Sequence, residues 1–521
     1  MRDQGLGSWP ARRARMAPEA TAVVHDGGSL SYAELAARVT RLAHALRALG
    51  VGHGDRVAYL GANHPALAET LFAANALGAV FVPLNTRLAA PELAFILRDA
   101  GAAVLLYAAE LTDVVDALRD DVEVKHYVEL GSAYEELLAN TPDDPLDETV
   151  GLDEVCMIQY TSGTSGRPKG VMLTHANIAW NCFNMLLDGD IASDDVALVV
   201  APMFHTAALN TVFLPGFLKG GTSVLMRGFD PDRVLDVIAE HRVTRMFGVP
   251  AMYQAMARSS RWATADLSSV RILQCAAAPV PKALIHTYQD RGLTFLQAYG
   301  LTETAPAALG LRARDSIRKA GSAGTPCFFT DVRVVRPDLT DVAPGEVGEV
   351  IIEGPNVMKG YWQWPEATKD AFVDGSWFRS GDAATVDEEG YVTIVDRIKD
   401  MYISGGENVY PAEVEQLLHQ HPAVAECAVI GVPDERWGEV GRALVVPRAG
   451  AEVSPDDIMN SLSGRLAKYK LPKSVVLVDT LPRNATGKIL KARLRSQYGS
   501  MPAPGRRGGM RPGDPKTPGG G

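Results

Sequence analysis

The chain has 521 residues, of which 47% are hydrophobic and 22% charged, and a formal net charge of −11. That length exceeds one ordinary domain, and the composition is that of a soluble globular protein. The acidic balance argues against a nucleic-acid partner held by bulk electrostatics, and five scattered cysteines (Cys156, Cys182, Cys275, Cys327, Cys427) with no CxxC pair argue against a zinc site and for reduced thiols in the cytoplasm.

Arg12, Arg13 and Arg15 precede no apolar stretch, so no secretory signal is predicted. From residue 20 to 395 helical and strand patterns alternate, as in α/β layers. Leu30 to Leu35 opens a helix running through Leu49. Arg56–Leu60, Ala79–Leu84 and Val104–Leu106 read as strands, with helices over Pro65–Leu77 and Glu92–Asp99. Val155–Gln159 and Val171–Leu173 read as strands flanking a loop, and Thr174 is placed to cap a helix beginning near His175. Val196–Leu218 lacks Asp, Glu, Lys and Arg, but Pro202, His205, Asn210, Pro215 and Gly216 interrupt it, so it reads as a buried strand, a turn and a buried helix rather than a membrane span.

Near residue 325 the pattern becomes β-rich, with strands over Val332–Val335, Glu349–Ile352 and Tyr391–Ile394. A mixed α/β segment follows from about 398 to 498, with strands over Val424–Val432 and Ala443–Pro447 and helices over Ala412–Leu418 and Asp456–Leu466. From Ser500 the chain is mostly Gly and Pro and is expected to be disordered. The expected fold class is α/β: a large N-terminal domain over 1–396, built of layered α/β subdomains plus a β-rich one, a small α+β C-terminal domain over 397–499, and a tail over 500–521.

The most informative stretch is Tyr160-Thr161-Ser162-Gly163-Thr164-Ser165-Gly166-Arg167-Pro168-Lys169. Glycines let backbone N–H groups converge on an anion, the hydroxyls add donors, and Arg167 and Lys169 add charge, which together suggest a polyphosphate grip. A Walker-type loop is excluded, because counting from Gly163 puts its second glycine on Pro168. Five further patches accompany the loop. His205 follows a buried strand. Tyr299, Thr302 and Glu303 share a turn. Ser380-Gly381-Asp382 places a carboxylate in a tight turn. Asp396-Arg397-Ile398-Lys399-Asp400 is charged and follows a strand. Pro482 to Lys488 is a turn-rich loop ending in lysine. Singly, each has a structural explanation: a core histidine, a turn-stabilising aspartate, an arginine paired with its neighbours, a solvated lysine.

Together, in this order and spacing, the six patches resemble the adenylate-forming superfamily of acyl-CoA synthetases, peptide-synthetase adenylation domains and beetle luciferases, from about residue 20 to 498. Asn85-Thr86-Arg87-Leu88, Lys319 to Gly324 and Ile403 to Pro411 are similar to bacterial fatty-acyl-CoA synthetases, including the mycobacterial very-long-chain type.

The resemblance implies two steps. A carboxylate attacks the α-phosphorus of ATP and pyrophosphate leaves; then the thiol of CoA displaces AMP. It implies that Thr161, Ser162, Gly163, Thr164, Ser165, Gly166 and Lys169 hold the β- and γ-phosphates and that Thr302 meets the α-phosphate. It further implies that Glu303 binds Mg²⁺, Tyr299 stacks on adenine, Asp382 accepts from the ribose hydroxyls, and Arg397 makes a second ribose or phosphate contact. Lys488 matches the lysine bridging the carboxylate and the α-phosphate, and Lys399 the hinge about which residues 397–499 rotate as a mobile lid. His205 falls where acyl and pantetheine channels meet and is expected to be catalytic, with Lys488 and Glu303. Gly405 and Gly406 would line the pantetheine channel, while Trp437 and Lys473 would meet the nucleotide end of CoA. Ala276-Ala277-Ala278-Pro279 departs from the Gly-Gly-Ala-Pro of many relatives and narrows the floor of the adenine or acyl pocket.

The expected substrate is a medium- to long-chain fatty acid, because Met203–Leu209 and Phe247–Pro250 offer apolar or small groups and no evident cation for a second carboxylate. The alternative is CoA or carrier-protein loading of an aromatic or other small acid. An amino acid is disfavoured, since Thr206-Ala207-Ala208-Leu209 offers no acid for an α-amino group. A non-catalytic nucleotide binder is disfavoured by the joint presence of Glu303, Asp382 and Lys488; a luciferase-like oxygenase stays open. The expected location is the cytoplasm, with weak contact of Arg12, Arg13 and Arg15 with anionic lipid at the inner membrane face.

Overall fold

The computed structural model describes residues 4–161, 168–278, 280–405, 407–463, 465–483 and 488–500. The expected phosphate-loop residues Ser162 to Gly166, with Arg167, lie outside this set. So do Pro279, Gly406, the stretch 484–487 and the tail from 501. The chain divides into two compact units: the first reaches Ile398 and also takes in Lys488, and the second begins at Lys399.

In the first unit a seven-stranded sheet runs in the order Gly360–Tyr361, Lys169–Thr174, Val155–Thr161, Val80–Leu84, Arg56–Leu60, Ala102–Ala108, His126–Leu130. The five strands from Val155–Thr161 to His126–Leu130 are parallel, as expected of βα units wrapped by helices. A nine-stranded sheet lies in the same unit. Its central strands, Phe295–Tyr299, Ile272–Cys275, Arg245–Gly248, Val196–Val199, Thr222–Leu225 and Thr21–His25, are parallel in that order. Every residue of the helix Pro65–Ala76 from Ala66 onward is buried. Such a helix has no solvent face and must be packed on all sides. Its one charged side chain, Glu69, is paired with Arg38 at 2.5 Å and accepts from the Tyr134 hydroxyl. Phe72 packs against Phe213 and Phe217, with ring centroids 6.4 and 4.8 Å away.

The β-rich part is a five-stranded antiparallel sheet in which Trp377–Val386 pairs with Val347–Glu353, Phe372–Val373 and Val392–Arg397. In the second unit Val424–Asp434 and Gly438–Pro447 form the main hairpin. Tyr402–Ser404, Glu407–Val409 and the parallel strand Ser474–Leu477 complete that sheet, over helices Pro411–Leu418 and Pro455–Leu462.

Several expectations shift in detail. Leu30 and Ser31 end a strand, Gly28–Ser31, and Ser31 then caps the helix Tyr32–Ala48: its hydroxyl accepts from the Glu34 N–H while Glu34 accepts from the Ser31 N–H. Thr174 caps His175–Asp188 as expected, with Asn177 closing the box. Val196–Leu218 divides into a strand, a helical turn at Thr206–Ala208, a π-turn at Leu209–Phe213 and a helix at Leu214–Lys219. Pro215 has no N–H to give the preceding turn, and the wider turn ends just before it. Among the described residues no helix is long and apolar enough to cross a membrane.

Candidate active site

In open α/β sheets, ligands bind beyond the carboxyl ends of parallel strands, at the point where the winding reverses. The nine-stranded sheet has such a point at Val196–Val199. From it the chain passes first to Thr222–Leu225 on one side and then to Arg245–Gly248 on the other. His205 follows this strand. The neighbouring strands end at Gly248, Cys275 and Tyr299, so His205, Val249, Ala276 to Ala278 and Tyr299 share one edge of the sheet.

The carboxyl edge of the other sheet meets this one. Asn63, beyond Arg56–Leu60, is buried and donates to the carbonyls of Val199 (3.3 Å), Ala201 (3.0 Å) and Met226 (3.0 Å); its Oδ1 accepts from the Met203 N–H at 2.8 Å. Gln159, near the end of Val155–Thr161, donates to the Phe204 carbonyl at 3.4 Å. Sequence reasoning missed Asn63. A single asparagine after a strand looks like any turn residue, and only the pairing of two distant strand ends reveals its clamp on the Pro202–His205 turn.

Thr161 and Lys169, which flank the expected phosphate loop in sequence, face each other in register across their antiparallel strand pair. Tyr299 ends its strand and donates its hydroxyl to Asp382 Oδ2 at 2.7 Å. Arg397 Nε lies 3.2 Å from Asp382 Oδ1. The three expected adenosine residues thus form one cluster, in which burial and the neighbouring Asp382 charge hold the Tyr299 hydroxyl well above its usual range, as a donor. Asp382 is not in a turn. It belongs to the strand Trp377–Val386, directly opposite Arg397. Glu349 pairs with Ala383 and Ile351 with Arg379, so Ser380, Gly381 and Asp382 bulge opposite Val350 alone. Gly381 supplies φ +69° in the bulge, and the Ser380 hydroxyl accepts from the Asp382 N–H while donating to the Val350 carbonyl. Arg397 likewise ends a strand rather than following one.

Glu303 sits in a short 3₁₀ turn, Thr302–Thr304, and its Oε1 accepts from the Tyr361 hydroxyl at 2.9 Å. Among the described residues no side chain donates to Oε2. Burial pushes this carboxyl above its usual range. A half-buried carboxylate whose one side-chain donor among the described residues is Tyr361 fits a hard divalent cation whose other ligands are phosphate oxygens and water. Among the described residues no group of three or more His, Cys, Asp or Glu could hold a metal ion.

The His205 Nε2 is buried without a hydrogen-bond partner. Burial, then the nearby Arg87, lowers its pKa to about 4, so the ring is neutral at neutral pH. Arg245 is turned away from the turn at 248–250: its Nε pairs with Asp195 at 2.9 Å and its NH2 donates to the Gly189 carbonyl at 2.9 Å. Ala277 holds a left-handed φ of +72°. A methyl in that conformation costs roughly 1–2 kcal/mol, against about 0.5–1 kcal/mol for the extra unfolded-state freedom of glycine. Ala277→Gly is therefore expected to raise the urea midpoint slightly at unchanged m-value; a lower midpoint would contradict strain at this position.

In the second unit, Trp437 sits at the tip of the main hairpin, where Asp434 Oδ1 accepts from the N–H groups of Arg436 and Trp437, each at 2.9 Å. Gly405 has φ +63° and donates its N–H to the Trp437 carbonyl at 2.9 Å; a Cβ there would come within 2.8 Å of the indole. Lys473 Nζ lies 6.0 Å and the Arg436 guanidinium 4.9 Å from the Trp437 ring centroid. Gly405, Trp437 and Lys473 are thus brought together, with Arg436 a cation that sequence reasoning did not select. Lys399 is exposed in the short turn Ile398–Asp400; Lys488, half-buried, is grouped with the first unit rather than the second.

Residues 10–362 match the AMP-binding enzyme family, and residues 413–488 the AMP-binding enzyme C-terminal domain. The chain is 57% identical to a feruloyl-CoA synthase of Amycolatopsis sp, over 96% of this chain and all of that one. It is 42% identical to the long-chain-fatty-acid–CoA ligase FadD13 of Mycobacterium tuberculosis, over 95% of this chain and 99% of that one. Among solved structures it resembles ATP-bound MatB from Rhodopseudomonas palustris, with a TM-score of 0.89 and 33% identity over 95% of this chain and 99% of that one.

Proposed function

The chain belongs to the AMP-binding enzyme family and is an adenylate-forming CoA ligase; on that premise we propose that its acid is aromatic, of the hydroxycinnamate type, rather than a fatty acid. The observation that carries this reading is the 57% identity to a feruloyl-CoA synthase along the full length of that protein, against 42% to a long-chain-fatty-acid ligase. It reverses the order of the two substrates expected from sequence. The pocket segments Met203–Leu209 and Phe247–Pro250 suit either class, since small apolar walls accept a flat ring as readily as a methylene chain.

In the proposed reaction the acid carboxylate attacks the α-phosphorus of ATP and pyrophosphate departs. Two anions approach, so cations and fixed donors carry the catalysis. Lys169 and the Thr161–Gly166 loop hold the outer phosphates, Thr302 the α-phosphate, and Lys488 bridges the α-phosphate and the attacking carboxylate. Asp382 and Arg397 take the ribose, and Tyr299 the adenine. Magnesium, held by Glu303, would supply charge neutralisation on the phosphates. Neutral His205 forms a wall between acyl and thiol channels. In the second half-reaction the CoA thiol attacks the acyl carbon and AMP leaves. The domain 397–499 turns about Lys399, withdrawing Lys488 and presenting Gly405 and Gly406 to pantetheine, with Trp437 and Lys473 at the CoA nucleotide.

The test is CoA-dependent AMP release with ferulate, its ring-substituted analogues, and saturated acids from butyrate to palmitate. Hydroxycinnamates should exceed every saturated acid in kcat/KM. A profile climbing with chain length at roughly fourfold per methylene, the increment expected for burying about 0.8 kcal/mol of CH₂, would restore the fatty-acid reading.

A further inference from the structure

Tyr361 lies outside the motifs that mark the site, yet the fold places it between two of their groups. The two-residue strand Gly360–Tyr361 runs antiparallel to Lys169–Thr174, with Tyr361 opposite Val171. Residues directly opposite across a strand pair share a face, and so do residues two apart along one strand, so Tyr361 and Lys169 are diagonal neighbours on one side of the sheet. The Lys169 Nζ lies 4.8 Å from the centroid of the Tyr361 ring. At the far end of that ring the hydroxyl donates to Glu303 Oε1 at 2.9 Å.

The strand is fixed independently of these two contacts. The Trp362 N–H donates to the Gly170 carbonyl at 2.7 Å, and the Lys359 N–H to the Met172 carbonyl at 3.0 Å. The Tyr361 N–H donates to the Thr368 hydroxyl at 2.9 Å. The Glu303 turn is docked on the same segment, since the Met358 N–H donates to the Glu303 carbonyl at 2.8 Å. Neither Lys169 nor Glu303 is in an ion pair among the described residues.

We propose that Tyr361 is a positioning residue for the nucleotide-bound metal: its ring keeps Lys169 and Glu303 from pairing with each other, and its hydroxyl aims the Glu303 carboxylate. The ring face holds the ammonium without neutralising it, leaving its charge for the phosphates. The hydroxyl occupies Oε1 and fixes the carboxylate, leaving Oε2 for the metal, as the hydrogen-bonded partners of ligating carboxylates do. This inference rests on the reading of Glu303 as metal ligand and Lys169 as phosphate-binding cation.

The test is Mn²⁺ binding to the full-length protein saturated with α,β-methylene-ATP, followed by electron paramagnetic resonance of free Mn²⁺, in the parent and in Tyr361→Phe, Tyr361→Leu and Glu303→Gln. Tyr361→Phe keeps the ring and loses the hydroxyl, so its Mn²⁺ affinity should fall about 10- to 100-fold, with metal-free binding of the analogue unchanged. Tyr361→Leu should also weaken metal-free analogue binding, because Lys169 is then free to pair with Glu303. If Glu303→Gln weakens Mn²⁺ binding while both Tyr361 variants match the parent, the positioning role is overturned and the metal site stands. If Glu303→Gln itself matches the parent, the reading of Glu303 fails and the inference with it. Thermal midpoints of the variants separate either result from loss of fold.

Discussion

Replacing Lys488 with alanine is expected to lower ATP–pyrophosphate exchange by about 10²–10³-fold, the loss typical of one preorganised charge at a developing anion, while leaving thioester formation from supplied acyl-adenylate near the parent rate. The asymmetry follows from the charges. In the first half-reaction a carboxylate meets a polyphosphate, and the barrier contains their repulsion. In the second the acyl group is already an anhydride, and the departing AMP needs no bridge to an incoming carboxylate. An interaction made only as the first transition state forms is lost only from that step. Parent-level exchange in Lys488→Ala would remove this residue from the mechanism.

Lys399→Pro is expected to give the opposite pattern. Proline fixes φ near −65° and removes an N–H, so a residue that must change its backbone angles during a domain rotation can no longer do so. Exchange should persist, whereas thioester output should fall by about 10²-fold or more, the cost of a misplaced reacting group. Lys399 is exposed and begins the second unit, so the substitution disturbs no core packing. An equal fall in both half-reactions would show that Lys399 is not the pivot.

The layers of the fold were legible where hydrophobic period and length agreed. Arg56–Leu60, Val80–Leu84 and the helix Pro65–Ala76 fall where the pattern puts them. The strand Trp377–Val386 was not legible, because Arg379-Ser380-Gly381-Asp382 breaks its alternation and carries turn chemistry. The break is the bulge that brings Asp382 opposite Arg397 and within reach of Tyr299, so the local misreading fell on a candidate site residue. Spacing along the chain identified Tyr299, Glu303, Asp382 and Arg397 as types without showing which would touch. Tyr361 and Asn63 gave no signal at all: each acts through a partner more than 50 residues away, Tyr361 58 residues from Glu303 and Asn63 136 residues from Val199. The acid was the least legible feature. Ala207, Ala208 and Leu209 describe a wall that is small and apolar, and such a wall does not distinguish ring from chain.

The central claim, that the acid is joined to AMP before it meets CoA, is tested most directly by following its oxygen. Ferulate labelled with ¹⁸O in the carboxylate is incubated with the enzyme, ATP and CoA, and the nucleotide product is analysed by mass spectrometry. One labelled oxygen in AMP, with unlabelled pyrophosphate, is the predicted result, because the oxygen that attacks the α-phosphorus leaves with AMP when the thiol displaces it. Unlabelled AMP, or ADP accompanied by labelled orthophosphate, would contradict it.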